Sequence, residues 1–150
     1  MPRIAGPETA AKENLSHFSV EQAGALCWRK HPQTGEIELL LVASLSTGGW
    51  GIPKGHIEDS ETSRDAAIRE AFEEAGVIGE PTKDPVATFS YCKAYSSTEL
   101  HVSVYAIHVA AIASDYPEKD LRLSRWVSAA SAAGEVERTA LRVLLSELYK

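Results

Sequence analysis

Cysteine is scarce: Cys27 and Cys92 are the two thiols in 150 residues. Two thiols do not make the disulfide framework of a small secreted domain, and no Cys/His group has the spacing of a metal site. A reducing cytoplasm is therefore the expected compartment. Long apolar runs are missing too. The densest, Leu39 to Ala43, is far too short to cross a bilayer, and Met1 to Leu15 has no apolar core of the kind a secretory signal carries. Basic charge is in deficit, with 15 Lys and Arg against 21 Asp and Glu and a net charge of −6. That balance argues against stable nucleic-acid binding, which neutralises phosphates with Lys and Arg. It still admits a small phosphorylated substrate, because a bound divalent cation reverses the local field. No internal repeat is visible, and the oligomeric state is not legible.

What remains is an ordinary globular composition, 44% hydrophobic and 24% charged, in a chain long enough to bury one core. Residues 1–16 are polar, with Pro2, Gly6 and Pro7, and read as a flexible N-terminal tail ahead of a single domain over 17–150. Val20 to Arg29 and Glu36 to Ser44 read as strands joined by a hairpin loop that holds Pro32 and Gly35. The second is apolar almost without interruption from Ile37 to Val42, as a strand covered on both faces would be. Gly48, Gly49, Gly51 and Pro53 mark a loop over Ser46 to Lys54. A helix is expected over Ser63 to Ala75, with Thr62 as N-cap and Gly76 at the C-cap. Pro85 to Tyr95, Leu100 to Val109 and Arg125 to Val127 read as further strands, with a polar loop over Ser114 to Asp120. Glu135 to Tyr149, with Leu141, Leu144, Leu145 and Leu148 at helical spacing, reads as one closing amphipathic helix. The order predicts an α/β fold, a mixed sheet between helices on both faces.

The helix from Ser63 carries the chemistry. At about 100° per residue, Glu73 and Glu74 fall on either side of Glu70, while Ala67, Ile68, Ala71, Phe72 and Ala75 fall on the other side. Glu61 precedes the helix and can fold back over the acidic face. Carboxylates so placed repel one another, and raise each other's pKa values when partly buried. Arg69 supplies one counter-charge. Hard divalent cations such as Mg2+ take a few carboxylates plus substrate phosphates, and the glycine turn Trp50 to Gly55 can add backbone carbonyls to a metal and backbone donors to a phosphate. A solvated acidic face is the ordinary meaning of such a run. Here, however, the offsets of Gly55, Glu61, Arg69, Glu70, Glu73, Glu74 and Gly76 coincide by chance on the order of once in 10^8 windows.

These residues match the Nudix box, G-x5-E-x7-R-E-U-x-E-E-x-G-U with U apolar, at every fixed position, with Ala71 and Val77 in the apolar places. The chain resembles the Nudix hydrolase superfamily over roughly Val20 to Leu148. The resemblance implies the Nudix fold, an α/β/α sandwich, and Mg2+-dependent hydrolysis of a phosphoanhydride bond, with Mn2+ as a substitute metal. Within the superfamily, Pro53-Lys54-Gly55-His56 is similar to the variant found in diadenosine polyphosphate hydrolases and diphosphoinositol polyphosphate phosphohydrolases. Tyr116-Pro117-Glu118, Arg125-Trp126-Val127 and Gln22 to Cys27 also resemble the diphosphoinositol group. That group carries basic residues at the entrance to the first strand, where this chain has Val20, Glu21 and Gln22. An acidic residue there repels an inositol polyphosphate, so a dinucleoside polyphosphate such as diadenosine tetraphosphate is favoured. The alternatives are a diphosphoinositol polyphosphate, another nucleoside diphosphate-X compound, or a non-catalytic nucleotide-binding Nudix module. Every box carboxylate is retained, against the last.

By resemblance, Glu70 and Glu74 ligate the metal together with the backbone carbonyl of Lys54, and Glu73 is the general base or a further ligand. Glu61 orients the set, and Arg69 holds the carboxylates through charge-assisted hydrogen bonds. Lys54 and His56 are candidate phosphate contacts, and Tyr91 and Tyr95 candidate stacking partners for an adenine. Glu99 is weighed as a late ligand or base and as a solvated loop residue. Trp50 and Trp126 read as packing residues, and His17, His31, His101 and His108 as structural or exposed.

Overall fold

A computed structural model describes residues 18–93 and 95–150. The tail over 1–16, and His17, lie outside the described residues. Among the described residues eight strands form one mixed sheet: β1 (Phe18–Lys30), β2 (Ile37–Ala43), β3 (Trp50–Gly51), β4 (Lys54–His56), β5 (Val77–Pro81), β6 (Ala87–Cys92), β7 (Thr98–Ile112) and β8 (Ser124–Ser128). The central order is β3-β2-β1-β7-β5, with β4 on β1, β6 on β7 and β8 on β2. β1 and β7 run parallel, with Gln22 opposite Val102 and Leu26 opposite Ala106, and the remaining pairs are antiparallel.

Helices cover both faces, and the period-two alternation of the central strands serves both layers at once. On one face Leu26, Leu39, Leu41, Val102 and Val104 pack with residues of α2 (Ala129–Glu135) and α3 (Thr139–Leu148), among them Ala132, Leu141 and Leu145. On the other, Ala25, Cys27, Leu40, Val42 and Ile107 pack with Ala71 and Ala75 of α1 (Ser63–Ala75). Ala23 and Tyr105 meet Ala66 and Ala67 on that same side. Alanines on the buried stripe of α1 let its backbone ride close to the sheet. The run Leu39 to Val42 is buried throughout, as its unbroken apolarity required. Burial pushes the Cys27 thiol far above its usual range, so this cysteine is an inert core residue.

The start of α1 is locally encoded. Thr62 Oγ1 accepts from Asp65 N at 3.0 Å, and Gly76 ends the helix in the left-handed conformation at φ 70°. A side chain at Gly76 would also run into the Tyr116 ring, which leaves glycine as the residue that fits. The closing region differs from expectation. Instead of one helix from Glu135, there are two, α2 and α3, separated at Val136 to Arg138. Tertiary pairing breaks the pattern: Val136 forms a parallel bridge with Trp50, and Glu137 N donates to Trp50 O at 2.9 Å. Backbone groups used for that contact are not free for a helix. The expected loop over Ser46 to Lys54 also contributes β3, and β5 follows Gly76 directly, where no strand was expected. Tyr95 falls in the β6–β7 connection rather than in a strand.

Candidate active site

Along one side, β1 changes partner. Residues 28–30 pair with β2 and residues 22–24 with β4, so the turn over 50–56 is stitched to the sheet beside α1. Ala25 N donates to Pro53 O at 2.9 Å between the two pairings. The result places Gly55 directly against Glu70: a Cβ there would collide with the Glu70 carboxylate. The glycine is needed for this approach, not for an unusual backbone angle.

Arg69 organises the acidic face. Its guanidinium donates to both oxygens of Glu61 at 2.8 and 2.9 Å, to Glu70 Oε2 at 2.9 Å, to Glu73 Oε1 at 3.3 Å and to the His56 carbonyl at 3.0 Å. A fourth carboxylate, Glu58, stands 3.7 Å away. One cation thus gathers the box residues and ties them to β4, a geometry that the planar, five-donor guanidinium allows and an ammonium does not. The bidentate bond to Arg69, helped by Glu58 N donating at 3.0 Å, holds the Glu61 carboxyl down at about 2. Arg69 is itself pushed upward by the same bond.

Glu70 and Glu74 are buried, at 9% and 5% exposure, which an acidic surface stripe would not be. Burial, opposed by Arg122 and reinforced by a hydrogen bond to Glu70, pushes Glu74 up to about 8. Glu73 is raised by partial burial and by the neighbouring Glu70. Two buried carboxylates in hydrogen-bond contact favour a shared proton or a shared cation. That donor set, oxygen-only and anionic, fits a hard divalent ion. Among the described residues the acids do not form a preformed cage, because Arg69 and Arg122 occupy several of their oxygens.

Arg122, which the sequence did not mark, is the second organiser. It donates to Glu118 Oε1 at 2.8 and 2.5 Å and to Ala43 O at 3.0 Å, and it stands 3.7 Å from Glu74. Glu118 N in turn caps the Glu73 carbonyl at 2.9 Å. The segment after β7 is thereby pinned to the C-terminal turn of α1.

Glu74 and Arg122 line a cavity of about 370 Å³ together with Gln22, Lys54, His56, Tyr91, Lys93 and Arg138. Lys54 is lowered, first by burial and then by Arg138. Tyr91 donates to Gln22 Oε1 at 3.0 Å, and its ring already carries the Arg138 guanidinium at 3.9 Å. Tyr95 is fully exposed and lies away from the cavity lining, and so does Glu99, whose carboxylate meets His101 Nε2 at 2.8 Å. His101 Nδ1 also bonds Ser90, His108 stacks on Trp28 at 4.1 Å, and His31 accepts backbone donors of its own turn. Trp50 lines the cavity rim under Arg125, while Trp126 packs beneath Arg29. Glu21 is exposed and is absent from the cavity lining, which includes its neighbour Gln22.

The fold and the box together define the class. The NUDIX domain family matches residues 20–146, and the chain belongs to that family. It is 32% identical to Nudix hydrolase 21, chloroplastic, of Arabidopsis thaliana, over 79% of this chain and 59% of that protein. Against the asymmetrical bis(5'-nucleosyl)-tetraphosphatase of Caenorhabditis elegans it is 45% identical over 62 residues, 41% of this chain and 44% of that protein. The chain spans about half the length of the curated relatives it matches. A solved C. elegans Ap4A hydrolase binary complex superposes with a TM-score of 0.68 at 26% identity, covering 86% of this chain and 94% of that one. No helix among the described residues is long and apolar enough to cross a membrane.

Proposed function

We propose that this chain is a divalent-metal-dependent hydrolase of phosphoanhydride bonds that acts on a polyphosphate-bridged substrate, with diadenosine tetraphosphate as the leading candidate. The observation that carries the reading is the meeting, in one cavity, of the buried Glu74 with a group of cations, beside the Arg69-bound carboxylates. Such a site receives an anion against acidic groups only when a cation intervenes. Glu70, Glu73 and Glu74 are the residues that would hold Mg2+ or Mn2+, which when bound supplies charge neutralisation and water activation.

The chain's own residues do the rest. Arg69 fixes the directions of Glu61, Glu70 and Glu73 and so acts as a positioning residue. Glu73, the most accessible of the three helix carboxylates at 34% side-chain exposure, accepts the proton of the attacking water. Its upward shift moves it toward the range a base at neutral pH needs. Lys54 and His56, adjoining Gly55 on β4, face the phosphates. The resemblance to the C. elegans tetraphosphatase supports a dinucleoside substrate. The lysines and arginines that line the cavity favour a second reading, a diphosphoinositol polyphosphate, on the same chemistry.

The test is a substrate panel of diadenosine tetraphosphate, ADP-ribose, a nucleoside triphosphate and a diphosphoinositol polyphosphate, read by product analysis with Mg2+ or Mn2+ present. Diadenosine tetraphosphate should give the highest kcat/KM, and chelation should abolish turnover. Turnover of none of these with either metal would end the hydrolase reading.

A further inference from the structure

Three cations in the cavity make no ion pair among the described residues: Lys54, Lys93 and Arg138. They come from β4, from the residue following β6, and from the turn between α2 and α3. Arg122 differs, since Glu118 and Glu74 neutralise it. The acid beside Arg138 in the same wall, Glu137, is turned to the Thr47 hydroxyl at 2.8 Å. Arg138 Cζ lies 3.9 Å and Lys54 Nζ 5.1 Å from the centre of one ring, Tyr91. Tyr91 is held in turn by its bond to Gln22.

Like charges gathered this closely in a partly desolvated space repel, and an anion relieves the repulsion. The group also has a fixed direction. Glu74 enters the cavity from the helix layer on one face of the sheet, and Arg138 from the layer on the other.

We propose that Arg138 and Lys93, with the Lys54 ammonium, form a second anion subsite that binds phosphates beyond the two of the scissile anhydride. Arg138 is its specificity-determining residue, supplied by the turn that the Trp50 contact holds out of helix. The proposal rests on the hydrolase reading for the placement of the scissile bond. It selects substrates with three or more phosphates over two-phosphate compounds such as ADP-ribose. A linear dinucleoside chain and a phosphorylated inositol ring share this chemistry, and the substrate arms separate them.

Protein in saturating Mg2+ is titrated calorimetrically with inorganic tripolyphosphate and with pyrophosphate, as wild type, Arg138→Gln, Arg138→Lys and Lys93→Gln. Arg138 is the N-cap of α3 but makes no side-chain capping bond, so its replacement leaves the helix start intact. Lys93 is exposed and serves if Arg138→Gln does not fold. Wild type should bind tripolyphosphate about ten-fold more tightly than pyrophosphate, a preference that Arg138→Gln and Lys93→Gln reduce to about three-fold or less and Arg138→Lys largely keeps. In turnover, the kcat/KM ratio of diadenosine tetraphosphate, or of a diphosphoinositol polyphosphate, over ADP-ribose should fall by a similar factor, carried by KM. Equal wild-type affinity for the two anions, or a preference that survives both neutral substitutions, overturns the subsite. Tight tripolyphosphate binding without turnover of any substrate sinks the hydrolase reading and leaves the subsite standing.

Discussion

The two halves of the site, acidic and cationic, are built in opposite ways. The acidic side comes from one contiguous stretch, Gly55 to Gly76, in which a helix, its cap and one turn bring four carboxylates to one arginine. The cationic side is assembled from β4, the end of β6 and the turn before α3, segments far apart in the chain. Local geometry makes the first cheap to encode. The second exists only because the sheet brings its strands to a common end. The acidic side is also over-determined, each carboxylate being held by Arg69 or Arg122, while the cations on the other side have no ion pairs among the described residues. One side has its charges already paired, and the other holds its cations without an ion pair among the described residues.

The largest expected effect breaks the acidic side. Glu73→Gln and Arg69→Ala should each lower kcat on diadenosine tetraphosphate by about 10^2-fold or more, the first by removing the base and the second by freeing the carboxylates. Circular dichroism should confirm an intact fold, and near-wild-type rates in phosphate-release assays would contradict the assignment. A step down in size is a paired glycine test. Gly55→Ala drives a methyl into the Glu70 carboxylate and should cost about 1–3 kcal/mol in stability as well as activity. Gly51→Ala, with nothing within 4 Å of its added methyl, should leave melting and turnover near wild type. Equal damage from both would show that chain flexibility, not the Glu70 approach, is what the turn requires.

Two carboxylates on the acidic side predict pH effects of opposite sign. Glu74, raised from 4.5 to about 8, binds more protons folded than unfolded across that window, so metal-free protein should lose stability as pH climbs from 4.5 to 8. Thermal melts in chelator should show the slope, and Glu74→Gln should flatten it. Glu61, lowered from 4.5 to about 2, contributes stability that is present above 4.5 and lost as pH falls toward 2. Glu61→Gln should reduce the acid-side loss, and a variant that melts with the wild-type acid profile would contradict it. The smallest effect is the cap. Thr62→Ala should cost about 1 kcal/mol in denaturant unfolding with kcat little changed, because it loosens the helix start without touching its acidic face.

Legibility in the sequence followed the same divide. The bounds of α1, its Thr62 cap and its Gly76 stop were readable because each rests on a bond or backbone angle within a few residues. The unbroken apolar run of β2 announced a strand covered on both sides. The leucine spacing of the closing segment was equally clear, yet it overran a break that the Trp50–Val136 bridge imposes from a distant strand.

By itself, then, the order of amino acids determined the family, the helix that bears the carboxylates, and the arginine that binds them, since those relations are short-range and repeat at helical spacing. Tertiary structure alone decided that Glu70 and Glu74 would be buried, that Arg122 would reach back to Glu74, and that Lys54, Lys93 and Arg138 would share one cavity. Contacts between residues tens of positions apart depend on how the sheet pairs and which faces its helices cover, and no local pattern carries that information.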